Sequence, residues 1–222
     1  MDVVHQLAAD GAAAGTVVVA REQSGGRGSR GRSWASPAGG LWMSLLSRPR
    51  DEPALELLSL RVGLELAVAL EALLPGLQVG LKWPNDLLLG DRKLGGVLCE
   101  ARWQAGLPSW VVIGIGLNVA NPVPASLEDG AATLADRAPG ISPGGLEQPL
   151  IEAALEATRR AGPLSGDELA EYSRRDWLRG RPLHAPARGR ADGITRTGAL
   201  RVLDPAGGAV EVRAGTVRLA LP

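Results

Sequence analysis

Apolar positions recur along this chain with two periods, and the changes of period mark its elements. Asp2 to Ala14 is alanine-rich and suits a short helix broken by Gly11 and Gly15. Thr16-Val17-Val18-Val19-Ala20 and Leu41 to Ser47 are short apolar runs, which predict buried strands. From Pro53 to about Leu74 the apolar spacing is helical, with proline in the first turn and Pro75-Gly76 as the stop. Val79 to Lys82 and Leu87 to Leu89 are short strands. A turn at Gly90-Asp91-Arg92-Lys93 leads into a strand from Leu94 to Trp103, and Trp110 to Asn118 forms another. Asn121 to Gly145 is rich in proline and glycine and reads as a loop excursion. Leu146 to Ala161 and Asp167 to Trp177 have amphipathic spacing and predict helices. After Gly180 the period shortens: Pro182 to His184, Gly193 to Thr195, Ala199 to Val202 and Ala209 to Leu221 are β-like pieces between turn signals. The pattern predicts an α+β chain, with one larger unit over 1–179 and a small all-β unit over 180–222.

Composition narrows the function. A chain of 222 residues with 45% apolar content can bury a substantial core. Its formal net charge of +0 argues against general nucleic-acid binding, which uses a basic excess. No apolar run approaches the length of a membrane span, and Met1-Asp2-Val3-Val4-His5 lacks the features of a signal peptide. Cys99 is the single cysteine, so no intrachain disulfide can form. His5 and His184 are far apart, which disfavours a histidine-rich metal site. These features predict a cytoplasmic protein that binds neither DNA nor membrane.

The rare residues point to the chemistry. The only two lysines, Lys82 and Lys93, lie eleven positions apart, in Lys82-Trp83-Pro84-Asn85-Asp86 and Lys93-Leu94-Gly95-Gly96. Lysine offers a compact point charge that arginine's planar fork does not reproduce. Pro84 ends or bends its strand, so Asn85 and Asp86 project from a strand end. Asp86 could accept a proton or hold a metal, and Lys93, one short strand and a turn further on, could reach it. Gly114-Ile115-Gly116-Leu117-Asn118 places two glycines in an otherwise core-like strand, a sign of close approach by a ligand. Asn118 carries the donor and acceptor that suit an adenine edge.

Gly25-Gly26-Arg27-Gly28-Ser29-Arg30-Gly31-Arg32 follows a predicted strand. Its glycines allow close backbone approach, and its arginines offer paired donors to phosphate or carboxylate. The spacing also satisfies G-x-G-x-x-G, but Ser33-Trp34-Ala35-Ser36-Pro37 cannot open the helix that a dinucleotide site requires. No Gly-Lys-Ser/Thr phosphate loop occurs.

In this order, Gln23 to Trp34, Gly40-Leu41-Trp42-Met43-Ser44, Lys82 to Asp86, Lys93 to Glu100 and Gly114 to Asn118 resemble the biotin–protein ligase family. The resemblance covers about the first 120 residues. It implies a mixed central sheet with flanking helices, similar to a class II synthetase catalytic domain, and an SH3-like barrel at the C-terminus. It implies that MgATP activates biotin to biotinyl-5′-AMP, and that a lysine of a biotin carboxyl carrier protein then takes the biotin. By the same resemblance, Gln23, Gly25, Gly26, Arg27, Trp42, Ser44, Lys93, Gly95, Gly96, Gly114 and Gly116 would surround biotin. Arg27, Gly28, Ser29, Arg30, Arg32, Trp34, Asn85, Lys93 and Asn118 would bind ATP and the adenylate. Lys93, Asp86 and Arg27 would be catalytic, with Asp86 also a magnesium ligand.

Ser29 stands where many members carry arginine, which implies weaker retention of the adenylate. The family's Ser-Thr-Asn motif would fall at or before Met1-Asp2. A DNA-binding domain is missing, so the resemblance is to ligases without repressor function, and a homodimer joined through the sheet is expected by analogy. Two rivals stand beside this reading: a lipoate- or other acyl-protein ligase on a related fold, and a non-catalytic phosphate- or RNA-binding module.

Overall fold

A computed structural model describes residues 1–48, 52–124 and 130–220, without the side chains of 52, 53 and 107. Helix α1 (Asp2–Ala9) precedes strands β1 (Val17–Ala20) and β2 (Leu41–Ser47), the long helix α2 (Glu52–Leu73), and strands β3 (Val79–Lys82), β4 (Asp86–Leu89), β5 (Arg92–Gln104) and β6 (Leu107–Leu117). Helices α3 (Glu147–Arg159) and α4 (Gly166–Arg175) follow, then β7 (Pro182–Ala185), β8 (Gly189–Ile194), β9 (Leu200–Leu203), β10 (Ala209–Val212) and β11 (Arg218–Leu219).

The first six strands form one sheet in the order β1-β2-β6-β5-β4-β3. Every ladder in it is antiparallel, where a mixed sheet was expected. The reason lies in the connections. β3, β4, β5 and β6 follow one another through short turns, which give antiparallel neighbours. The helical crossover β2–α2–β3 does join strands of the same direction, but the sheet order sets them four places apart, so they never pair. The second sheet is also antiparallel, in the order β10-β9-β8-β7-β11, and the described ladders leave β10 and β11 at opposite edges.

One sheet face is covered by α2, with α3 packed against α2. Helix α2 is apolar on most sides because it is buried on most sides: Leu57, Leu58, Val62, Leu66, Ala67 and Leu70 are all within 3% of full burial. The same core cluster continues into the C-terminal strands through Leu183, Ala191, Leu200 and Val202. Gly198, at φ +78, lies so close to α2 that a Cβ there would stand 2.5 Å from Leu57 Cδ2. Its carbonyl accepts from Trp83 Nε1 at 2.9 Å, which anchors the β3–β4 turn to the C-terminal strands.

The expected loop of 121–145 contains two 3-10 turns, Leu134–Asp136 and Pro143–Gly145, and buries Ala132 and Leu134. Residues 125–129 of it, and the end of the last predicted strand at 221, lie outside the described residues. The glycine–arginine segment is not wholly irregular. Bridges Gln23↔Ser36 and Arg27↔Ser33 make it a distorted hairpin with a 3-10 turn, Ser29–Gly31, at its tip.

A cation inside α2 ties the helical layer together. Arg61 is 1% exposed. Its Nε donates to Glu168 Oε1 at 2.8 Å, and Nη2 donates to Gly162 O at 2.9 Å and Pro163 O at 3.2 Å. Glu168 also completes the capping box of α4, accepting from Ser165 N at 2.8 Å while Ser165 Oγ accepts from Glu168 N at 3.1 Å. Burial alone would push the Glu168 carboxyl up, but the Arg61 guanidinium and the Ser165 amide outweigh it and leave it below its ordinary value. Arg61→Ala should destabilise the fold by about 1–3 kcal/mol, because it takes the buried donor from Glu168 and leaves the carboxylate to Arg160, 3.3 Å away. Urea unfolding checks this; a loss under about 1 kcal/mol would contradict the assigned role. Because the folded pKa is depressed, the Glu168 contribution is present above the unfolded carboxylate pKa and is lost as pH falls through the folded one.

Candidate active site

The sheet face opposite α2 carries α1 at one end, packed on Leu46 and Val112, and beside it a cavity of about 280 Å³ whose floor is backbone. Register places Trp42 and Gly96 opposite Gly116, and Ser44 and Leu98 opposite Gly114. Glycine is needed there because other side chains lie flat on the floor. A Cβ on Gly116 would stand 2.9 Å from Trp34 Nε1, and one on Gly114 would stand 2.7 Å from Met1 Sδ. Trp34 Nε1 is buried and has no hydrogen-bond partner among the described residues. An orphan donor of this kind costs about 1–3 kcal/mol, which a ligand's acceptor would recover.

Lys93 reaches this face through a bulge. Strict alternation back from Gly96 would point Lys93 to the opposite face, three residues away. The pairing shifts between Leu87↔Gly95 and Leu88↔Lys93, so β5 carries one residue more than β4 there. Leu94, the extra residue, turns into the core at 0% exposure. Lys93 thereby joins Asp86 on the cavity face, and Nζ sits 2.6 Å from Asp86 Oδ1. Both lie over Gly96, where a Cβ would be 3.6 Å from Asp86 Oδ1 and 3.6 Å from Lys93 Cε. The ammonium also stands 5.0 Å from the centre of the Trp34 ring, within cation–π range. Residues 130–132 back it: Lys93 N donates to Gly130 O at 2.8 Å, and Lys93 O accepts from Ala132 N at 2.9 Å. Asn85 is fixed by Nδ2 donating to Val97 O at 2.7 Å.

The arginine hairpin closes the other side. Arg27 donates to both oxygens of Asp2, at 2.8 Å each, and to both oxygens of Glu100, at 3.2 Å each. His5 Nε2 stands 3.1 Å from Glu100 Oε2, and His5 Nδ1 lies 3.1 Å from Trp110 Nε1. Two carboxylates hold the Arg27 guanidinium far above its already high ordinary pKa. Burial pushes Glu100 up, but its bonds from Arg27 and His5 outweigh that and leave it lowered. Arg32 folds back on the turn, with Nη2 donating to Ser29 Oγ at 2.9 Å. Arg30, at φ 61, points away from the cavity and donates to Thr216 Oγ1.

Of the residues singled out from sequence, Gln23, Gly25, Gly26, Arg27, Gly28, Ser29, Arg32, Trp34, Ser44, Asn85, Lys93, Gly96, Gly114 and Gly116 line this one cavity. Asp86 adjoins it through Lys93. Trp42, Gly95, Arg30 and Asn118 are not in the lining. Trp42 is buried and donates to Pro37 O at 2.9 Å. Asn118 is buried, with Oδ1 accepting from Asn121 Nδ2 at 3.3 Å. Sequence reasoning missed Asp2, His5 and Glu100. Glu100 ends the quoted Lys93 to Glu100 match, and its alternation from Gly96 would have placed it on the cavity face.

The sequence pattern that defines the biotin/lipoate A/B protein ligase family matches residues 3–118. The chain belongs to that family. The bifunctional ligase/repressor BirA of Bacillus subtilis is 39% identical over 145 residues, which are 60% of this chain and 42% of that protein. The biotin–[acetyl-CoA-carboxylase] ligase of Paracoccus denitrificans is 41% identical over 117 residues, 51% of this chain and 49% of that one. The chain therefore spans less than half the length of either relative in these matches. In three dimensions it is similar to the biotin protein ligase from Aquifex aeolicus in complex with biotin and ATP, with a TM-score of 0.83 and 25% identity, covering 97% of this chain and 94% of that one.

If Glu100 positions the hairpin, Glu100→Gln should speed amide hydrogen exchange across residues 26–33 by about fivefold, as expected for losing roughly 1 kcal/mol of local stability. The core amides of β6 should not change. Equal exchange in the hairpin of both proteins would remove Glu100 from that role.

Proposed function

We propose that this chain is an ATP-dependent biotin–protein ligase. It would activate biotin to biotinyl-5′-AMP and pass the biotin to a lysine of a biotin carboxyl carrier protein. The observation that carries the reading is the Lys93 ammonium, 2.6 Å from Asp86 and beside an arginine hairpin, at the edge of a cavity floored by glycine. The similarity to a ligase bound to biotin and ATP supports it.

Adenylation brings two anions together. A biotin carboxylate oxygen attacks the α-phosphorus of ATP, and the bond to the bridging oxygen breaks, with its electron pair leaving on diphosphate. Lys93 would neutralise the carboxylate and the α-phosphate at their meeting point, a preorganised charge that water need not reorganise to supply. Arg27 and Arg32 would exchange their present partners for phosphate oxygens. Trp34 Nε1, now without an acceptor, would donate to the adenylate. Gln23, Ser44 and the backbone at Gly114, Gly116 and Gly96 would hold biotin. In the second step an acceptor ε-amine attacks the acyl carbon and AMP leaves. Asp86 is placed to orient that amine and take its proton. A closed hairpin would keep water from the anhydride.

No group of three or more carboxylate, histidine or cysteine side chains suited to a metal occurs among the described residues. Asp86 Oδ1 is already held by Lys93. Magnesium would accordingly arrive with the nucleotide as MgATP, with Asp86 as its one contact. The Asn118 side chain would reach adenine only by leaving Asn121. In this reading residues 1–179 are the ligase unit, and 180–222 are a separate SH3-like barrel built on β7 to β11. A cytoplasmic location and a homodimer joined through the sheet belong to the same reading. No described helix is long and apolar enough to cross a membrane.

The wild-type protein should catalyse ATP–pyrophosphate exchange that depends on biotin. Exchange supported by lipoate instead would favour an acyl ligase of different substrate. Lys93→Ala should lower the exchange rate by about 10²–10³-fold, and Lys93→Arg should recover little of it, since the fork misplaces the charge. Near-normal exchange in both variants would refute the role of Lys93. Ser29→Arg should slow the escape of biotinyl-adenylate, followed by trapping the released intermediate; an unchanged rate would remove Ser29 as the cause of weak retention.

A further inference from the structure

Lys82, the second of the two lysines, has no part in the steps above, yet the fold sets it beside them. It is the Cα partner of Asp86 across the β3–β4 ladder, so both side chains emerge on the cavity face. Asp86 is thus flanked by Lys93, in contact at 2.6 Å, and by Lys82, next to it on the neighbouring strand. Lys82 makes no ion pair among the described residues. Its Nζ rests 5.2 Å from the centre of the Trp177 ring. Trp177 is held in place by Nε1 donating to Asp91 Oδ1 at 2.8 Å, by its own amide bonded to Leu81 O at 2.9 Å, and by Arg181 stacked 3.9 Å from the ring centre.

Charge is unbalanced at this spot. Lys82, Lys93, Arg32 and Arg181 all lie close enough for their fields to bear on one another. Arg181 is matched by Asp91 at 3.0 Å, and Lys93 by Asp86. Among the described residues Arg32 donates to Ser29 and to no carboxylate, and the Lys82 ammonium stands over the Trp177 ring in no ion pair. Burial, followed by these neighbouring cations and against the pull of Asp86, lowers the pKa of the Lys82 ammonium. A desolvated cation whose neighbouring carboxylate is already in contact with another ammonium gains from an incoming anion.

The sheet order says where that anion would lie. The cavity sits over β2, β6 and β5; Asp86 is one strand further out on β4, and Lys82 is on the edge strand β3. In-line displacement at phosphorus puts the leaving oxygen opposite the attacking one. With the biotin carboxylate on the cavity side of Lys93, the departing group emerges on the side of Lys82. We propose that Lys82 is the residue that receives the leaving diphosphate, holding the β- and γ-phosphates of ATP before the displacement and the pyrophosphate after it. No proton moves in this step. The α-phosphorus–oxygen bond breaks, its electron pair passes to the diphosphate, and the ammonium balances the charge that develops.

The inference rests on the ligase reading, and the test separates the two. Pyrophosphate-dependent reversal of bound biotinyl-adenylate is measured in the full chain for wild type, Lys82→Met, Lys82→Arg and Trp177→Leu. Biotin affinity is measured by calorimetry. Transfer to a carrier domain from supplied biotinyl-5′-adenylate bypasses the first step. In Lys82→Met the KM for pyrophosphate should rise by about tenfold or more, the scale of one charge-assisted hydrogen bond. Biotin affinity and bypass transfer should stay within about twofold, and Lys82→Arg should restore most of the pyrophosphate affinity because a cation alone is required. An unchanged pyrophosphate KM in Lys82→Met overturns the inference. So does an equal rise in Trp177→Leu together with slower bypass transfer, since Lys82 would then act only by bracing the ring. Absence of biotin-dependent exchange in the wild type overturns the ligase reading, and the assignment of Lys82 with it.

Discussion

The contact between Lys93 and Asp86 depends on one surplus residue in β5. A sheet alternates its side chains with period two, so any residue an odd number of positions from Gly96 belongs on the core side. The shift at Leu87/Leu88 changes that parity, sends Leu94 into the core and delivers a charged side chain to the cavity face. A leucine and an ammonium are thereby each placed in the solvent that suits them. Gly96 leaves room for both members of the pair above it, and residues 130–132 brace the strand from behind. The position of the site's cation and the burial of Leu94 both follow from this single register change.

The arginine hairpin works by the opposite principle, weak contacts that can be exchanged. Arg27 is held by Asp2 and Glu100, with side chains 39%, 79% and 25% exposed. Pairs this open to water contribute about 0–1 kcal/mol each. That is enough to keep the hairpin folded over the cavity and little enough for phosphate to replace them. Lys93 differs in being half-buried, backed by a ladder and stacked against an indole. A fixed ammonium beneath a movable guanidinium flap is a sensible division of labour for a reaction that must admit a nucleotide and then exclude water.

Much of the fold was legible because period and punctuation agree along the chain. Leu41–Ser47 and Val79–Lys82 fall where the apolar runs put them, and α2 spans Glu52–Leu73 against an expected Pro53 to Leu74. Pairing direction was not legible, since it depends on which strands become neighbours rather than on any one segment. The site was legible where residue type was unusual: the lysines, the glycine pairs and the arginine run. It was not legible where ordinary residues do the holding. Asp2, His5 and Glu100 are unremarkable in sequence, and only the packing of α1 against β2 and β6 brings Asp2 and His5 beside Glu100 and Arg27. Trp42 and Asn118 show the converse. Both are rare residues next to cavity-lining ones, yet each is turned inward to satisfy Pro37 and Asn121.

The most direct test of this account is a crystal structure of the protein with a non-hydrolysable analogue of biotinyl-5′-adenylate. The acyl and phosphate oxygens of the analogue should both lie within hydrogen-bond reach of Lys93 Nζ, over the Gly96 and Gly116 backbone, with the Arg27 guanidinium turned from Asp2 toward the phosphate. An analogue bound elsewhere on the sheet, with Lys93 still paired to Asp86 alone, would contradict the account at its centre.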